Sequence, residues 1–492
     1  MRVLFIYSNH IRDLLPAPPI GLSYVASATA DAGHEVKFVD MLVATAGRRE
    51  LQKVLQQFSP DVVAISVRNI DNVVHQRLMR HLDVLAQQTA QVRRFSEAKI
   101  VLGGPAISIL REGALAHIDA DIAVLGEGEQ SFPQLLAALE KGEGYAEVPG
   151  ICYRKGGEVC SSPARPQVLT EFGPSGMERW ISWKPYARLG ATWPIQSKRG
   201  CPFLCSYCTY PTIEGRKCRQ RSARDVVEEI RRVSRTLGVQ CFELIDSVFN
   251  SPESAAIELC ETIIRSDLKV SLTTMGVNPR NLSQELLTLM KRAGFNSMMV
   301  TPESASDPVL DRMRKGFTVE EVELCAQRVR KSGIASMWFF MLGAPGETQE
   351  TAEETVSFVE QHLNWSNCLP MFTTGIRILP GTDLAMQARE SGYLTPDQDL
   401  IQSLFYFSPE VSEAWLLDRV NRAVAICPNV VHAGEDPSSG WTARQLYKLF
   451  HFAGIAPPYW RFFSTFLSLG PVHKGRVRRI EAGRGFMGSD TI

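Results

Sequence analysis

Two spacings of apolar residues alternate along this chain. Short apolar runs at residues 3–7, 36–39, 62–66 and 100–102 have the length of strands, and 122–125 makes a fifth. Helical stretches such as 21–32 separate them. Strands joined by crossover helices form a parallel, doubly wound Rossmann-like sheet, which takes its ligands at the carboxyl ends of the strands. The candidate loops are therefore 8–21, 66–72, 103–105 and 126–129. Within or beside them Asn9, Gly21, Ser66, Arg68, Gly103, Gly104, Gly126, Glu127 and Gly128 stand out, the glycines because they let the backbone approach a ligand. None of these loops carries a GxGxxG dinucleotide fingerprint.

Gly156-Gly157, Pro163, Pro166, Gly173-Pro174 and Gly176 punctuate residues 151–189, the composition of a linker. Strand-like runs then recur at 192–197, 241–245, 270–274, 297–301, 336–341 and 372–378. The first helix between them opens on Ser222 with Asp225 and places Val226, Ile230, Val233 and Leu237 on one face. Six such units predict a partial TIM-type (βα)6 barrel whose active face lies at the carboxyl ends of its strands. The rhythm stops after 394–396; helices are predicted at 413–425 and 443–453, followed by an aromatic run at 459–467 and the cations Lys474, Arg476, Arg478 and Arg479. The α/β chain thus divides into a doubly wound domain (1–150), a linker (151–189), a partial barrel (190–395) and a small, mainly helical C-terminal domain (396–492) associated with the substrate.

Composition narrows the function. Lys plus Arg and Asp plus Glu both total 53 among 492 residues, so no net field favours nucleic acid. The first apolar run is too short for a signal peptide, and no apolar window is long enough to span a bilayer. Eleven scattered cysteines fit a reducing compartment, so the cytoplasm is expected. The aromatic run with its cations can be read as a segment lying on an anionic membrane. The favoured reading is a terminal helix packed on the barrel with a solvated basic tail.

The chemistry concentrates in Lys198-Arg199-Gly200-Cys201-Pro202-Phe203-Leu204-Cys205-Ser206-Tyr207-Cys208. Cys201, Cys205 and Cys208 are spaced to wrap one inorganic centre, and a four-iron cubane held by three thiolates keeps one iron open for an exogenous ligand. A structural zinc site is the alternative and needs a fourth ligand. No histidine lies between His117 and His362, so Cys218 would have to serve. Cys152 and Cys160, with no other ligand nearby, are read as incidental. At the ends of the barrel strands lie Asp246, then Glu303 and Ser304, then Gly343, then Arg377. Carboxylates placed there can accept ribose hydroxyls, and glycines let a ligand lie against backbone.

CxxxCxxC with an aromatic residue before its third cysteine resembles the signature of the radical S-adenosylmethionine (SAM) enzymes. The succession Pro18-Pro19-Ile20-Gly21-Leu22, Gly33-His34-Glu35-Val36, Gly103-Gly104-Pro105 and Gly126-Glu127-Gly128-Glu129 resembles the cobalamin-binding domain that precedes the barrel in one class of them. The resemblance implies a 4Fe-4S cluster on Cys201, Cys205 and Cys208, with SAM held by Tyr207, Asp246, Glu303, Ser304, Gly343 and Arg377. It also implies cobalamin on the N-terminal loops. Ile245-Asp246-Ser247 replaces the usual Gly-Gly-Glu after the second strand, as in cobalamin-dependent members. The Asp-x-His-x-x-Gly frame that supplies a histidine to cobalt elsewhere is absent, and His75 is read as structural rather than as an axial ligand. A methylthiotransferase is set aside, because its second cluster needs N-terminal cysteines and the first cysteine here is Cys152.

The implied activity is methylation of an unactivated carbon in a natural-product or lipid-like small molecule, through a 5′-deoxyadenosyl radical and methylcobalamin. A flavodoxin- or ferredoxin-like partner would supply electrons. Radical cyclisation, rearrangement or hydroxylation is the runner-up. A non-catalytic cobalamin or metal sensor would need a DNA-binding or partner module, and none is evident. No catalytic residue beyond the cluster cysteines can be named.

Overall fold

The computed structural model describes residues 1–11, 16–44, 47–435 and 441–481, and two seven-stranded sheets carry the chain. The first contains β1 (Arg2–Tyr7), β2 (Glu35–Asp40), β3 (Val62–Ser66), β4 (Lys99–Gly103), β5 (Ile122–Val124), β6 (Ile151–Lys155) and β7 (Glu158–Ser161). Their spatial order is β2-β1-β3-β4-β5-β6-β7, and β1 to β5 pair in parallel. Val3, Leu4, Phe5 and Ile6 are all buried, as both faces of a helix-covered strand must be. The order reverses between β1 and β3, so the loops after those strands flank the crevice where such a sheet takes its ligand.

Within 151–189, β6 falls where a short strand-like piece is read at 150–154, and β7 follows it. They add an antiparallel hairpin to β5, turning at Gly156-Gly157 with φ of 59° and 91°. A two-residue Gly-Gly turn matches hairpin twist, which is why the chain can fold straight back after β6.

In chain order the second half supplies β8 (Trp193–Ile195), β9 (Lys198–Arg199), β10 (Arg219–Gln220), β11 (Cys241–Leu244), β12 (Ser271–Val277), β13 (Phe295–Glu303), β14 (Ala335–Leu342), β15 (Cys368–Thr374), β16 (Ile376–Arg377), β17 (Phe405–Tyr406) and β18 (Val431–His432). The parallel sheet runs β18-β15-β14-β13-β12-β11-β8 and does not close, which makes a partial barrel. β9 with β10, and β16 with β17, are short antiparallel ribbons. The seventh strand, β18, comes from the region expected to be helical; two residues carry too short a pattern to read. Helix Ala223–Leu237 is capped by Ser222, whose Oγ accepts the Asp225 N–H, and it buries Val226, Ile230 and Val233.

Alternation divides the barrel strands. Phe242, Leu244, Leu272, Met298, Val300, Trp338, Phe340 and Phe372 face the helices and form the largest core. On the lumen side Met299, Met337, Leu369 and Met371 pack against Tyr459, Trp460, Phe463 and Leu467. The thiol of Cys241 and Nδ2 of Asn296, at the starts of β11 and β13, both donate to the Pro457 carbonyl (2.9 and 3.3 Å). The aromatic run therefore plugs the amino-terminal end of the open barrel instead of lying on a membrane. Arg476 departs from a solvated tail: it is buried, pairs with Glu435 at 2.7 Å and donates to the carbonyls of Pro428 and Val430. Lys474 and Arg478 are exposed, while the side chain of Arg479 lies outside the described residues. Among the described residues no helix is long and apolar enough to cross a membrane.

Candidate active site

The cysteine loop leaves β9 through Gly200, whose φ is 95°. A Cβ there would overlap the Lys217 carbonyl, so glycine alone lets the loop press on residues 215–218. Cys201 N–H then donates to the Gly215 carbonyl at 3.0 Å. Ser206 ties the loop to the barrel, donating to the Met313 carbonyl and accepting from Leu384 N–H (3.0 and 2.8 Å). Cys201, Cys205 and Cys208 are free thiols. Burial pushes Cys201 up and Cys208 up to about 12; neighbouring cysteines add to the rise and Lys315 opposes it.

Cys201 and Cys208 thus both feel the charge of Cys205 between them. Yet among the described residues no three His, Cys, Asp or Glu side chains converge as a single-ion site requires. Tetrahedral zinc draws its thiolates to about 2.3 Å from one ion, whereas a cubane spreads them over three irons. Cys218 instead feels Lys198 and Asp246. Among the described residues the zinc quartet does not assemble, while three thiols on one loop are the donor number and type a four-iron cluster with an open iron takes.

Beside the thiols, Tyr207 Oη donates to Glu303 Oε1 at 3.0 Å. Lys315 Nζ donates to that hydroxyl at 3.1 Å and lies 3.5 Å from the Glu303 carboxylate. Glu303 ends β13 with φ of 69°, a strained conformation of the kind that surroundings impose at functional sites. Asp246 is arranged differently: Oδ1 accepts the N–H groups of Ser197 and Lys198 (2.8 and 3.1 Å) and Oδ2 accepts Ser197 Oγ. Its carboxylate shapes the turn into β9. Ser304 is buried against Thr355 Oγ1 at 3.1 Å, and the N–H groups of Gly343 and Ala344 donate to Glu347.

Arg377 is held by protein groups. Its Nε donates to Asp71 Oδ2 at 2.7 Å, and its other nitrogens donate to the carbonyls of Ile378, Leu400 and Leu404. It joins the segment after β3 to the barrel. A buried guanidinium needs such partners, and this one lies 306 residues away in the chain.

The loops of the first sheet meet the barrel lumen around a cavity of about 360 Å³. Gly21, Ser66, Arg68, Gly103, Gly104, Gly126, Glu127 and Gly128 all line it. At Gly104 φ is 99° and a Cβ would stand 2.7 Å from the Val67 carbonyl, so the cradle there must be bare backbone. Asn9 does not line the cavity and donates to the Tyr7 hydroxyl; residues 12–15 of the same loop lie outside the described residues. Glu127 lines it but directs its carboxylate at Leu169 N–H (2.7 Å), Arg219 (2.7 Å) and Arg199 (3.5 Å), and Arg199 also pairs with Glu129 at 2.7 Å. His75 pairs with Glu413 and packs on Phe405 and Phe407; among the described residues no histidine lines the cavity. The barrel side of the cavity includes Tyr210 and Glu214, on the helix that follows Cys208.

Residues 195–359 match the radical SAM superfamily, and residues 14–136 match the B12 binding domain. The chain belongs to the cobalamin-dependent radical SAM family. Its cofactors are a 4Fe-4S cluster, SAM and cobalamin. This radical SAM enzyme is 28% identical over 349 residues to an uncharacterized methyltransferase of Pyrococcus horikoshii, covering 70% of this chain and 73% of that one. It is also 28% identical over 401 residues to an anaerobic magnesium-protoporphyrin IX monomethyl ester cyclase of Rubrivivax gelatinosus, covering 75% and 68%. Two solved structures of the radical SAM methyltransferase TsrM from Kitasatospora setae share its fold over 98% of this chain and 99% of theirs. One has cobalamin and a 4Fe-4S cluster bound (TM-score 0.79, 22% identity); the other has tryptophan substrate and aza-SAM (0.80, 21%).

Two residues of this radical SAM enzyme escaped sequence reasoning. Lys315 sits in a run, Arg312-Met313-Arg314-Lys315, in which nothing marks one cation over another; only packing makes it the buried one. Glu214 accepts Ser247 Oγ, Gly200 N–H and Gln196 Nε2 (2.5, 3.1 and 3.0 Å), linking the end of β11, the cysteine loop and the cavity. Its position six residues after Cys208 was the available signal.

Proposed function

We propose that this radical SAM enzyme methylates an unactivated carbon of an apolar small molecule. The reading is carried by one cavity that joins the glycine-rich loops of the first sheet to the barrel lumen, beside the helix that follows Cys208. When bound, cluster and SAM supply a hydrogen-abstracting radical and cobalamin supplies the methyl group. Cys201, Cys205 and Cys208 would hold the cluster, and Tyr207, Glu303 and Lys315 beside them would contact SAM. Asp246, Ser304, Gly343 and Glu214 keep the loops around them in place. Gly21, Ser66, Arg68, Gly103, Gly104, Gly126 and Gly128 form the cobalamin cradle, backed by the Glu127 and Glu129 pairs with Arg199 and Arg219. Residues 1–150 with the β6–β7 hairpin then act as the cobalamin domain, 190–395 as the radical SAM domain, and 396–492 as the substrate-associated part that shuts out water.

The methyltransferase relative supports methyl transfer; the cyclase relative supports a second reading, radical ring closure without it. The cysteine loop reaches the surface at Leu204, which gives an external flavodoxin- or ferredoxin-like donor a short approach. Eleven free cysteines fit a cytoplasmic setting. The test is anaerobic reconstitution, quantification of iron, sulfide and corrin, and incubation with methyl-labelled SAM and an apolar extract of the source cells. Label in an extracted product is the expected result. Deoxyadenosine with an unlabelled, cyclised product would install the second reading, and zinc without iron would overturn both.

A further inference from the structure

Sheet alternation puts a carboxylate in the barrel lumen. Phe242 and Leu244 of β11 face the helices, so Glu243 and Ile245 point inward, and both line the cavity with Pro194, Met275 and Pro458. Four carboxylates line that cavity. Glu127 and Glu129 are paired with arginines, and Glu214 accepts three hydrogen bonds. Glu243 differs: among the described residues it accepts one, from Thr192 Oγ1 at 2.6 Å.

A carboxylate offers about four acceptor sites, so most of this one is unused. Burial pushes its pKa up, opposed by the Thr192 hydroxyl and by Arg68. A polar group held in an apolar wall is costly until a partner reaches it. Its neighbours Ile245, Met275 and Pro458 offer no donor side chain; Arg68, on the same cavity wall, acts on it by charge but makes no ion pair with it among the described residues, and the cysteine loop carries its own partners. The side chain is only half-buried by protein, and its open part faces the cavity.

We infer that Glu243 is the polar anchor of the substrate pocket, and that the substrate is an apolar molecule bearing one hydrogen-bond-donating head, bound most tightly as an ammonium. This rests on the proposed function of the same cavity and adds the chemistry of what fills it. Thr192 orients the carboxylate; Met275 and Ile245 accept the apolar body, methionine adapting to shapes a rigid wall would refuse.

The test titrates corrin-loaded, reconstituted holoenzyme with 1-octylamine, 1-octanol and octanoate, following heat. Their flexible chain suits the apolar wall, so the head group decides. Octylamine should bind roughly tenfold or more tighter than octanoate, as a charge-assisted hydrogen bond requires. Glu243→Gln should remove that preference while iron and corrin content stay unchanged. If that variant fails to fold, Glu243→Asp, one methylene shorter, should weaken octylamine several-fold. The inference is overturned if amine and acid bind alike, if none of the three binds, or if the variant keeps the preference. Loss of corrin from Glu243→Gln overturns it too, by giving the residue to the cofactor. An amine preference that persists while no labelled methyl reaches any product would instead sink the proposed reaction and leave the anchor standing.

Discussion

A buried lysine beside three thiols sets the charge balance of whatever they hold. Lys315 lies 4% exposed between Tyr207 and Glu303 and opposes the rise that burial imposes on Cys201 and Cys208. Lys315→Met should retain iron but make the cluster harder to reduce, and SAM cleavage should fall by roughly 10–100-fold, the usual cost of losing a group that supports a metal's ligands. A redox titration followed by electron paramagnetic resonance reads the first effect and deoxyadenosine formation the second. Glu347 gives a pH prediction. Burial holds its carboxyl up at about 7, against 4.5 for an ordinary glutamate. Between those values the unfolded chain has lost the proton and the folded chain still binds it, so stability falls as pH rises through this window. The loss is on the order of 3 kcal/mol. Urea denaturation from pH 4.5 to 7.5 should show the decline in the native protein and not in Glu347→Gln.

Among the elements, the plug and the clamp carry separate loads. Trp460 is buried against the lumen methionines, and Trp460→Ala should cost about 3–5 kcal/mol by leaving a cavity where the barrel has no wall of its own. The clamp is the ionic set Glu127, Glu129, Arg199 and Arg219, where the loop after β5 meets the β9–β10 ribbon. Arg219→Met removes the closest ionic partner of Glu127 and should destabilise by about 3–5 kcal/mol. Glu127→Gln in the same chain should recover part of that loss. Denaturation midpoints measure both, and corrin retention should fall in Arg219→Met alone.

For the whole molecule, the cavity between sheet and barrel makes stability depend on its contents. A ligand that binds only the folded chain stabilises it by about 2.7 kcal/mol at a hundred times its Kd. Corrin-loaded protein should therefore melt at a higher temperature than corrin-free protein. The increment should shrink in Gly104→Val, because a side chain there meets the Val67 carbonyl and the Ser66 hydroxyl at the cradle.

Local pattern was enough for much of this. Apolar runs of strand length between helices specify a doubly wound sheet and an open barrel, because a period of two or 3.6 residues records which faces must be buried. The CxxxCxxC loop and the glycine-rich loops after β4 and β5 were equally legible, since each is a contiguous piece of chemistry. What the residues in line did not contain was how polar groups far apart are shared out. Asp71 with Arg377, Glu127 with Arg219, and Tyr207 with both Glu303 and Lys315 are pairings across roughly 90 to 300 positions. Only the packed chain decides which buried charge meets which partner. The same tertiary packing brings Arg377 of the barrel to Asp71 after β3, and leaves Glu243 on the cavity wall.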